Sequence, residues 1–151
     1  MAPANFPQGD FQVKLFLALA AMLAWLFGAM LLLVPAQFYA PTGITMTPMS
    51  ATVAQAHGAT LVGLGLVNWL ARHADRHGLI AVLAGNLLVQ VASLAIVLRT
   101  MMLGAGTAVA PGVAIHVTLG ALFAWFLVRV KSARANEGQT KSSGALPGLT
   151  G

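Results

Sequence analysis

The sequence predicts an all-α membrane protein in which four transmembrane helices form an antiparallel bundle, with both termini in the cytoplasm. Of its 151 residues, 58% are hydrophobic and only 7% are charged, whereas a soluble domain carries about 25% charged residues because its surface faces water. Four apolar stretches also approach the ~20 helical residues that cross a hydrocarbon core. We therefore expect lipid to cover most of the surface of a single domain.

The four predicted spans, in chain order, are residues 13–34, 51–70, 79–98 and 112–130. The apolar run of the first span exceeds the roughly 7–15 residues of a signal-peptide core, so we expect an uncleaved anchor. Leu, Ala and Val dominate all four spans without strand-like alternation. Backbone groups in lipid must bond within their own segment, so helices are expected and a barrel is not.

The spans account for a single transmembrane domain over residues 1–131. The connection 35–50 contains three prolines and the pair Phe38 and Tyr39, which are suited to the headgroup layer. We expect this connection to lie across the outer mouth of the bundle. The tail 132–151 is rich in Gly, Ser and polar residues and is predicted to be flexible in the cytoplasm.

The distribution of basic residues gives the orientation. Seven of the eight lie before the first span, between spans two and three, or after span four: Lys14, Arg72, Arg76, Arg129, Lys131, Arg134 and Lys141. The eighth, Arg99, lies at the opposite rim. This positive-inside pattern predicts cytoplasmic termini. The cations form no stripe with interleaved aromatic residues, so no nucleic-acid partner is expected, and the lack of cysteine excludes disulfides and thiolate metal sites.

A layer of polar side chains is predicted inside the bundle. His57 and Asn68 share one face of span two, because eleven residues at 100° each leave them only ~20° apart. Counted from the cytoplasmic rim, His57 and His116 both lie ~20 Å deep, and Gln90 and Ser93 on span three reach a similar level. Four polar side chains from three helices are thus expected to meet.

Three interpretations of this layer stay open. Hydrogen bonds among His57, His116, Gln90 and Ser93, or to water, would hold the helices in register. Alternatively, the layer is a pocket for a small ligand, a lipid headgroup, a quinone or a proton, since histidine changes charge between about pH 5 and 8. The third interpretation is that both histidines ligate a b-type haem, because imidazole is a common ligand of iron.

Other polar residues receive structural interpretations. Asn68 and Asn86 are each expected to form interhelical hydrogen bonds, but their estimated depths differ and no Asn68–Asn86 pair is predicted. His73 and His77 lie four residues apart beside Arg72 and Arg76. These positive neighbours would repel a cation, so we interpret the segment as a solvated turn and expect no metal site.

Small residues recur at four-residue spacing, which is typical of close packing between membrane helices. The predicted packing positions are Ala59, Gly63, Gly85, Asn86, Gly120 and Ala124. The first two lie on span two, the next two on span three and the last two on span four.

The order "LVPAQFY…TGI…SATVAQAHGATLVGLGLVNWLARH", followed by an Asn-bearing third helix and a His-bearing fourth, resembles small bacterial four-helix membrane proteins and is similar to the DoxX-like group. The resemblance covers residues 14–130. Some DoxX-like proteins are associated with quinol oxidation, so the resemblance implies an accessory role beside a redox complex in a bacterial inner membrane. It implies no catalytic residue.

The sequence contains no intramembrane carboxylate, HExxH motif, phosphate-binding loop or Ser-His-Asp arrangement. We therefore expect a non-enzymatic membrane component that packs against other membrane subunits or itself and contains no cofactor. The alternative is a bundle that binds a small ligand, haem b or a quinone through His57 and His116, with a role in redox or proton transfer. A small transporter ranks third, for want of an ion-coupling residue.

Overall fold

A computed structural model describes residues 8–105 and 109–143 of the chain, with side chains described for 11–104 and 109–132. The elements are α1 (Gln8–Leu33), α2 (Pro35–Tyr39), a 3-10 turn (Ala40–Thr42), α3 (Pro48–Ala71), α4 (Arg76–Thr100), a π-helical turn (Met101–Ala105) and α5 (Ala110–Ser143). The described residues contain no strand, which confirms the predicted all-α class.

Three predicted spans fall within the long helices α3, α4 and α5, and the first coincides with α1 except that its last residue, Val34, lies just beyond the helix. Helix α5 continues to Ser143 and so takes in part of the tail that was predicted to be flexible. Its continuation contains Ala, Arg, Glu, Gln and Lys, which are strong helix formers. Residues 144–151 of that tail lie outside the described residues.

Local sequence signals explain where the helices begin. Thr47 and Ser50 form a capping box at the start of α3: the Ser50 backbone N–H donates to Thr47 Oγ1 (3.2 Å) and the Thr47 N–H donates to Ser50 Oγ (2.8 Å). At α4 the Asp75 carboxylate accepts a hydrogen bond from the Gly78 N–H (2.8 Å). These side chains satisfy amide groups that have no partner within the helix.

The connection between α1 and α3 folds back over the ends of both helices. Phe38 of α2 meets Phe27 of α1 edge-on, with ring centroids 6.1 Å apart. The 3-10 turn ends at Gly43, whose positive φ of 72° suits glycine. Gln55 of α3 donates from Nε2 to the Leu32 carbonyl of α1 (3.2 Å), which ties the two ends together.

Three of the described helices are long and apolar enough to cross a membrane: Phe11–Leu33, Arg76–Gly104 and Ala110–Ser132. This supports a membrane protein but is one span fewer than the sequence predicts. Helix α3 has sufficient length, 24 residues. Its composition is less apolar because Gln55, His57, Thr60 and Asn68 and several glycines lie within it.

Helices α1 and α3 pack closely in an antiparallel pair, which we call the first hairpin. They approach most closely at Gly28 and Gly58: a Cβ on either glycine would lie within 3.0 Å of the backbone of the other helix. Further along, Trp25 donates from Nε1 to the Val62 carbonyl (3.2 Å) and its indole covers Gly65. Only glycine permits such contact between the backbones.

Helices α4 and α5 form the second hairpin. Gln90 packs against Gly120, and the Arg76 guanidinium donates from Nη2 to the carbonyls of Val130 and Lys131. The bond to Lys131 is 3.1 Å long. Contacts therefore run from the start of α4 to at least the level of Gln90 and His116.

The two hairpins meet at the end of the bundle that holds the start of α1. Phe16 packs edge-on against Phe123 (centroids 4.8 Å apart) and stacks on Phe126 (4.6 Å). The buried cluster there comprises Val13, Phe16, Leu17, Ala20, Ala71, Leu83 and Phe123. Arg129 also donates from Nη1 to Gln12 Oε1 (2.7 Å), so the start of α1 and the last turns of the α5 span lie at the same end.

Toward the other end, contacts between the hairpins are few. His57 on α3 is exposed, and His116 on α5 and Ser93 on α4 are half-buried. The buried residues there, such as Gly58 and Leu31, belong to contacts within the first hairpin. The bundle is thus closed at one end and more open at the other.

Candidate functional site

The polar contact nearest the predicted layer joins Gln90 of α4 to His116 of α5. His116 Nδ1 lies 2.8 Å from Gln90 Oε1, and Gln90 is buried. An amide oxygen only accepts hydrogen bonds, so in this arrangement Nδ1 donates, and in the neutral imidazole Nε2 then carries the lone pair. Gly120 packs against the Gln90 side chain, since a Cβ at this position would lie in ordinary van der Waals contact with Gln90 Cβ, 3.5 Å away.

This pair lies beside a shallow apolar groove between α4 and α5, with a volume of about 210 Å³. Its lining is Leu87, Gln90, Val91, Leu94, His116, Val117, Gly120 and Ala121. The imidazole is therefore held in one orientation next to aliphatic side chains. Such an arrangement can position one hydrogen-bond acceptor toward a lipid-soluble molecule, or it can simply fix the register of the second hairpin.

The other two members of the predicted layer are not joined to this pair. No hydrogen bond of the His57 or Ser93 side chain occurs among the described residues. His57 is exposed and lies on the face of α3 that also carries Asn68. The structure thus brings together two of the four predicted residues, Gln90 and His116.

Asn68 and Asn86 correct one expectation from the sequence. They form a reciprocal pair: Asn68 Nδ2 donates to Asn86 Oδ1 (3.2 Å), and Asn86 Nδ2 donates to Asn68 Oδ1 (2.8 Å). Both side chains are buried. The prediction that they would not pair is wrong. It rested on depths counted separately along each helix, from Arg72 on α3 and from Gly78 on α4. Packing between the helices sets the shift of α3 relative to α4, and this shift brings the two residues to the same level.

The Asn68–Asn86 pair also gives the two hairpins a common level. His57 lies eleven residues from Asn68 along α3, and Gln90 lies four residues from Asn86 along α4. At 1.5 Å per residue, this places His57 ~10 Å further toward the open end than Gln90 and its partner His116. This offset concerns the backbone levels along the helix axes; the His57 and His116 side chains are near enough to interact electrostatically.

The predicted packing positions divide into two groups. Asn86 and Gly120 lie at contacts between helices of this chain. Ala59, Gly63 and Gly85 are exposed, and a Cβ at Gly63 or Gly85 would meet nothing within 4 Å. Within the first hairpin the close contacts are made by Gly28, Gly58 and Gly65 instead, which the four-residue spacing did not identify. Ala124 is half-buried.

The α3–α4 turn contains the remaining histidines. His73 and His77 are exposed, and no group of three or more His, Cys, Asp or Glu side chains is placed to hold a metal ion within the described part of the chain. The aromatic residues around this end include Trp69, whose ring lies 3.3 Å from the Arg72 guanidinium carbon. Trp125 and Arg129 make a similar, longer contact of 5.8 Å on α5.

No protein-family model matches the chain, and no curated protein or solved structure matches it either. Its function therefore has to be argued from the residues and contacts described above.

Proposed function

We propose that this chain is a four-span bacterial inner-membrane protein with cytoplasmic termini, and that it acts as a non-enzymatic subunit that packs against other membrane proteins or further copies of itself. The observation that carries the proposal is the exposure of Gly63 and Gly85 on long helices, with open space beside each. The inner-membrane location follows the resemblance to DoxX-like proteins and the charge pattern.

The packing of α3 supports its role as the fourth span. Contacts between α3 and the apolar helix α1 extend from Gln55, which bonds the Leu32 carbonyl, to Ala71, which joins the cluster around Val13. A helix that accompanies a membrane-spanning partner over its whole apolar length lies at the same depth in the bilayer. Its polar residues also have uses there: Asn68 is paired, and Thr60 donates to the Ala56 carbonyl (3.0 Å).

The end-to-end arrangement supports cytoplasmic termini. The hydrogen bond from Arg129 to Gln12 places the start of α1 and the last turns of the α5 span at one end of the bundle. Six of the eight basic residues lie in or next to these two segments or in the α3–α4 turn at this same end, counting Lys14, Arg72, Arg76, Arg129, Lys131 and Arg134. This is the cytoplasmic end by the positive-inside rule.

Exposed glycines inside helices require a reason. A mid-helix glycine is less favourable than alanine by roughly 0.5–1 kcal/mol because its backbone loses more freedom on folding. At Gly28, Gly58 and Gly65 the close approach of another helix offsets this cost. At Gly63 and Gly85 no described segment of this chain approaches within 4 Å of where a Cβ would lie, so a helix from another subunit is the partner that such positions suit.

A groove borders the same surface. It has a volume of about 280 Å³ and is lined by Leu64, Val67, Ala81, Val82, Gly85 and Asn86 of helices α3 and α4. Its lining is almost entirely apolar and open to the surroundings. A side chain from a neighbouring transmembrane helix can enter it, with the small residues Ala81 and Gly85 allowing close approach.

Cross-linking tests the proposal directly, because the chain contains no cysteine. Gly63→Cys and Gly85→Cys would each be introduced separately and treated in native membranes with a membrane-permeable cross-linker that has one thiol-reactive arm and one photoreactive arm, which inserts into C–H bonds of a neighbouring helix. Met22→Cys on α1 is the matched control: Met22 is exposed and lies next to Ala21, whose carbonyl borders Gly65 at this depth.

The expected result is a discrete adduct from Gly63→Cys and Gly85→Cys but not from Met22→Cys, and mass spectrometry then identifies a second copy or another membrane protein. Equal adducts from all three positions would indicate random collision in the bilayer. If neither Gly63→Cys nor Gly85→Cys forms an adduct, the proposed packing role is wrong, whether the chain crosses the membrane three times or four.

A further inference from the structure

The cytoplasmic end of the bundle carries a strong excess of positive charge. Among the described side chains, five cations lie there: Lys14, Arg72, Arg76, Arg129 and Lys131. One carboxylate accompanies them, that of Asp75, and it accepts the Gly78 N–H at the start of α4. The exposed side chains of His73 and His77 lie in the same turn. Cations therefore outnumber carboxylates among the described side chains at this rim.

Two of these arginines are held in place by neutral groups. Arg72 donates from Nε to the Trp69 carbonyl (2.8 Å) and lies over the Trp69 ring at 3.3 Å. Arg129 donates from Nη1 to Gln12 Oε1 (2.7 Å) and lies over Trp125 at 5.8 Å. Stacking on indole and one hydrogen bond fix each guanidinium without neutralising it.

Both guanidinium groups retain donors for a further partner. A guanidinium has five N–H donors, and the hydrogen bonds above use only one donor atom of each side chain. The two Nη groups of Arg72 present the planar fork that binds phosphate oxygens in a bidentate manner. Neither arginine has a carboxylate partner among the described residues.

The two arginines flank the start of the same helix. Arg72 directly follows Ala71 of α3, which belongs to the buried cluster with Val13 of α1, and Arg129 bonds Gln12 near the start of α1. The half-buried side chain of Lys14 also belongs to this part of α1. Tryptophan and arginine together at a helix end are suited to the headgroup layer, where the indole contacts lipid tails and the charge reaches phosphate.

We propose that the cytoplasmic ends of α1, α3 and α5 form a binding site for the phosphodiester headgroups of anionic phospholipids, with Arg72 and Arg129 as the phosphate-binding residues. This inference rests on the proposed orientation in the membrane. The charge of the rim selects an anionic lipid over a zwitterionic one, because only the anionic headgroup leaves a net negative charge for the protein to compensate. A site of this kind retains lipid during purification, whereas bulk attraction to the membrane surface does not.

Native mass spectrometry of the full-length protein provides the test. The protein would be reconstituted into nanodiscs of phosphatidylcholine mixed with phosphatidylglycerol and then released into detergent, and the retained lipids would be counted. Arg72→Gln and Arg129→Gln remove the charge but keep a hydrogen-bonding side chain of similar reach. Arg99→Gln is the matched control, since Arg99 is the basic residue at the opposite rim.

We expect selective retention of phosphatidylglycerol by the native protein, reduced about fivefold by each of Arg72→Gln and Arg129→Gln and unaffected by Arg99→Gln. Replacing phosphatidylglycerol by cardiolipin distinguishes a site for one phosphate from one that spans both arginines. Equal retention of the two headgroups by the native protein, or an equal loss in Arg99→Gln, would overturn the proposal. Circular dichroism of each variant separates loss of lipid from loss of fold.

This result is independent of the packing role. Lipid retention is measured on purified protein, while the adducts of Gly63→Cys and Gly85→Cys report neighbours in native membranes. Adducts without retained phosphatidylglycerol would support the packing role and overturn the lipid site. Retained phosphatidylglycerol without adducts would support the lipid site and overturn the packing role.

Discussion

The side chains of Asn68 and Asn86 show how much a single polar pair decides in an apolar bundle. Each amide both donates to and accepts from the other, and Asn86 additionally donates to the Val82 carbonyl (2.9 Å). An amide buried without partners is costly, and lipid offers no replacement. The pair therefore fixes the relative shift of α3 and α4 and, through these helices, that of the two hairpins.

The loss of unfolding free energy on replacing one asparagine should exceed half of the loss on replacing both. Asn68→Leu or Asn86→Leu alone leaves a buried amide with fewer partners and is expected to lower the free energy of unfolding by about 1–2 kcal/mol. The double variant removes both amides, so its cost should fall short of the sum of the two. Equilibrium unfolding in mixed micelles, followed by tryptophan fluorescence, measures all three values.

Ser93→Ala serves as the control for this cycle. Ser93 is a half-buried polar residue on α4 with no side-chain hydrogen bond among the described residues, so its replacement should change stability by less than about 0.5 kcal/mol. Strictly additive effects of Asn68→Leu and Asn86→Leu would contradict the reciprocal pair.

Residue-level predictions from the sequence succeeded where one helix face was enough and failed where two helices had to be aligned. Helical spacing predicts that His57 and Asn68 share one face, and composition marks Gln90 and His116 as polar residues in need of partners, which the hydrogen bond between them confirms. The alignment of α3 with α4 depends on many small packing contacts between helices. The relative depth of Asn68 and Asn86, counted from Arg72 and Gly78, was therefore wrong by about one helical turn. Likewise, Gly58 rather than its neighbour Ala59 meets α1.

At the scale of elements, helix α3 is the long helix that lacks a stretch apolar enough to count as a membrane span on composition alone, and it contacts both α1 and α4. Its glycines meet Gly28 and Trp25 of α1, and Asn68 meets α4. Positions that face another helix need not be lipophilic, so a span can be less apolar than a lone transmembrane helix. The long helices were predictable because apolar runs of this length have few other uses, whereas the five-residue helix α2 leaves no periodic signal.

Whether α3 crosses the bilayer can be read from the two connections at its ends. Thr45→Cys lies before α3 and His73→Cys lies after it, and both residues are exposed. We expect a membrane-impermeant maleimide added to spheroplasts to label Thr45→Cys at once and His73→Cys only after permeabilisation, because a crossing helix separates them.

Ser132→Cys provides the reference for this labelling, since it is the last residue of the α5 span and is exposed. It should behave like His73→Cys if both positions face the cytoplasm. Labelling of Thr45→Cys and His73→Cys from the same side would show that α3 lies along the membrane without crossing it, and the four-span arrangement would then be wrong.

For the molecule as a whole, the central feature is its division into two hairpins that meet mainly at one end. A four-helix bundle that is packed uniformly along its length and a pair of hairpins joined at one end have the same hydropathy along the chain. The sequence therefore predicted a four-helix bundle but could not tell which of these two arrangements it adopts. The two arrangements differ in which side chains make the contacts. Glycines allow close packing of α1 against α3 within the first hairpin, whereas Phe16, Phe123 and Phe126 pack between the two hairpins at the closed end. The open end exposes His57.

Because each hairpin has its own contacts, the chain should tolerate a break between them. Separate expression of residues 1–73 and 74–151, the latter with a start methionine, leaves the capping residue Asp75 on α4, and membrane helices insert before they associate. We expect the halves to co-purify in equal amounts when expressed together.

Phe16→Ala with Asn68→Leu should lower recovery of the paired halves at least several-fold, because these residues join the hairpins. Met22→Ala, which removes an exposed side chain of α1, should leave recovery unchanged. Failure of the unaltered halves to co-purify, or equal recovery with and without the paired change, would show that the hairpins are not the units of assembly.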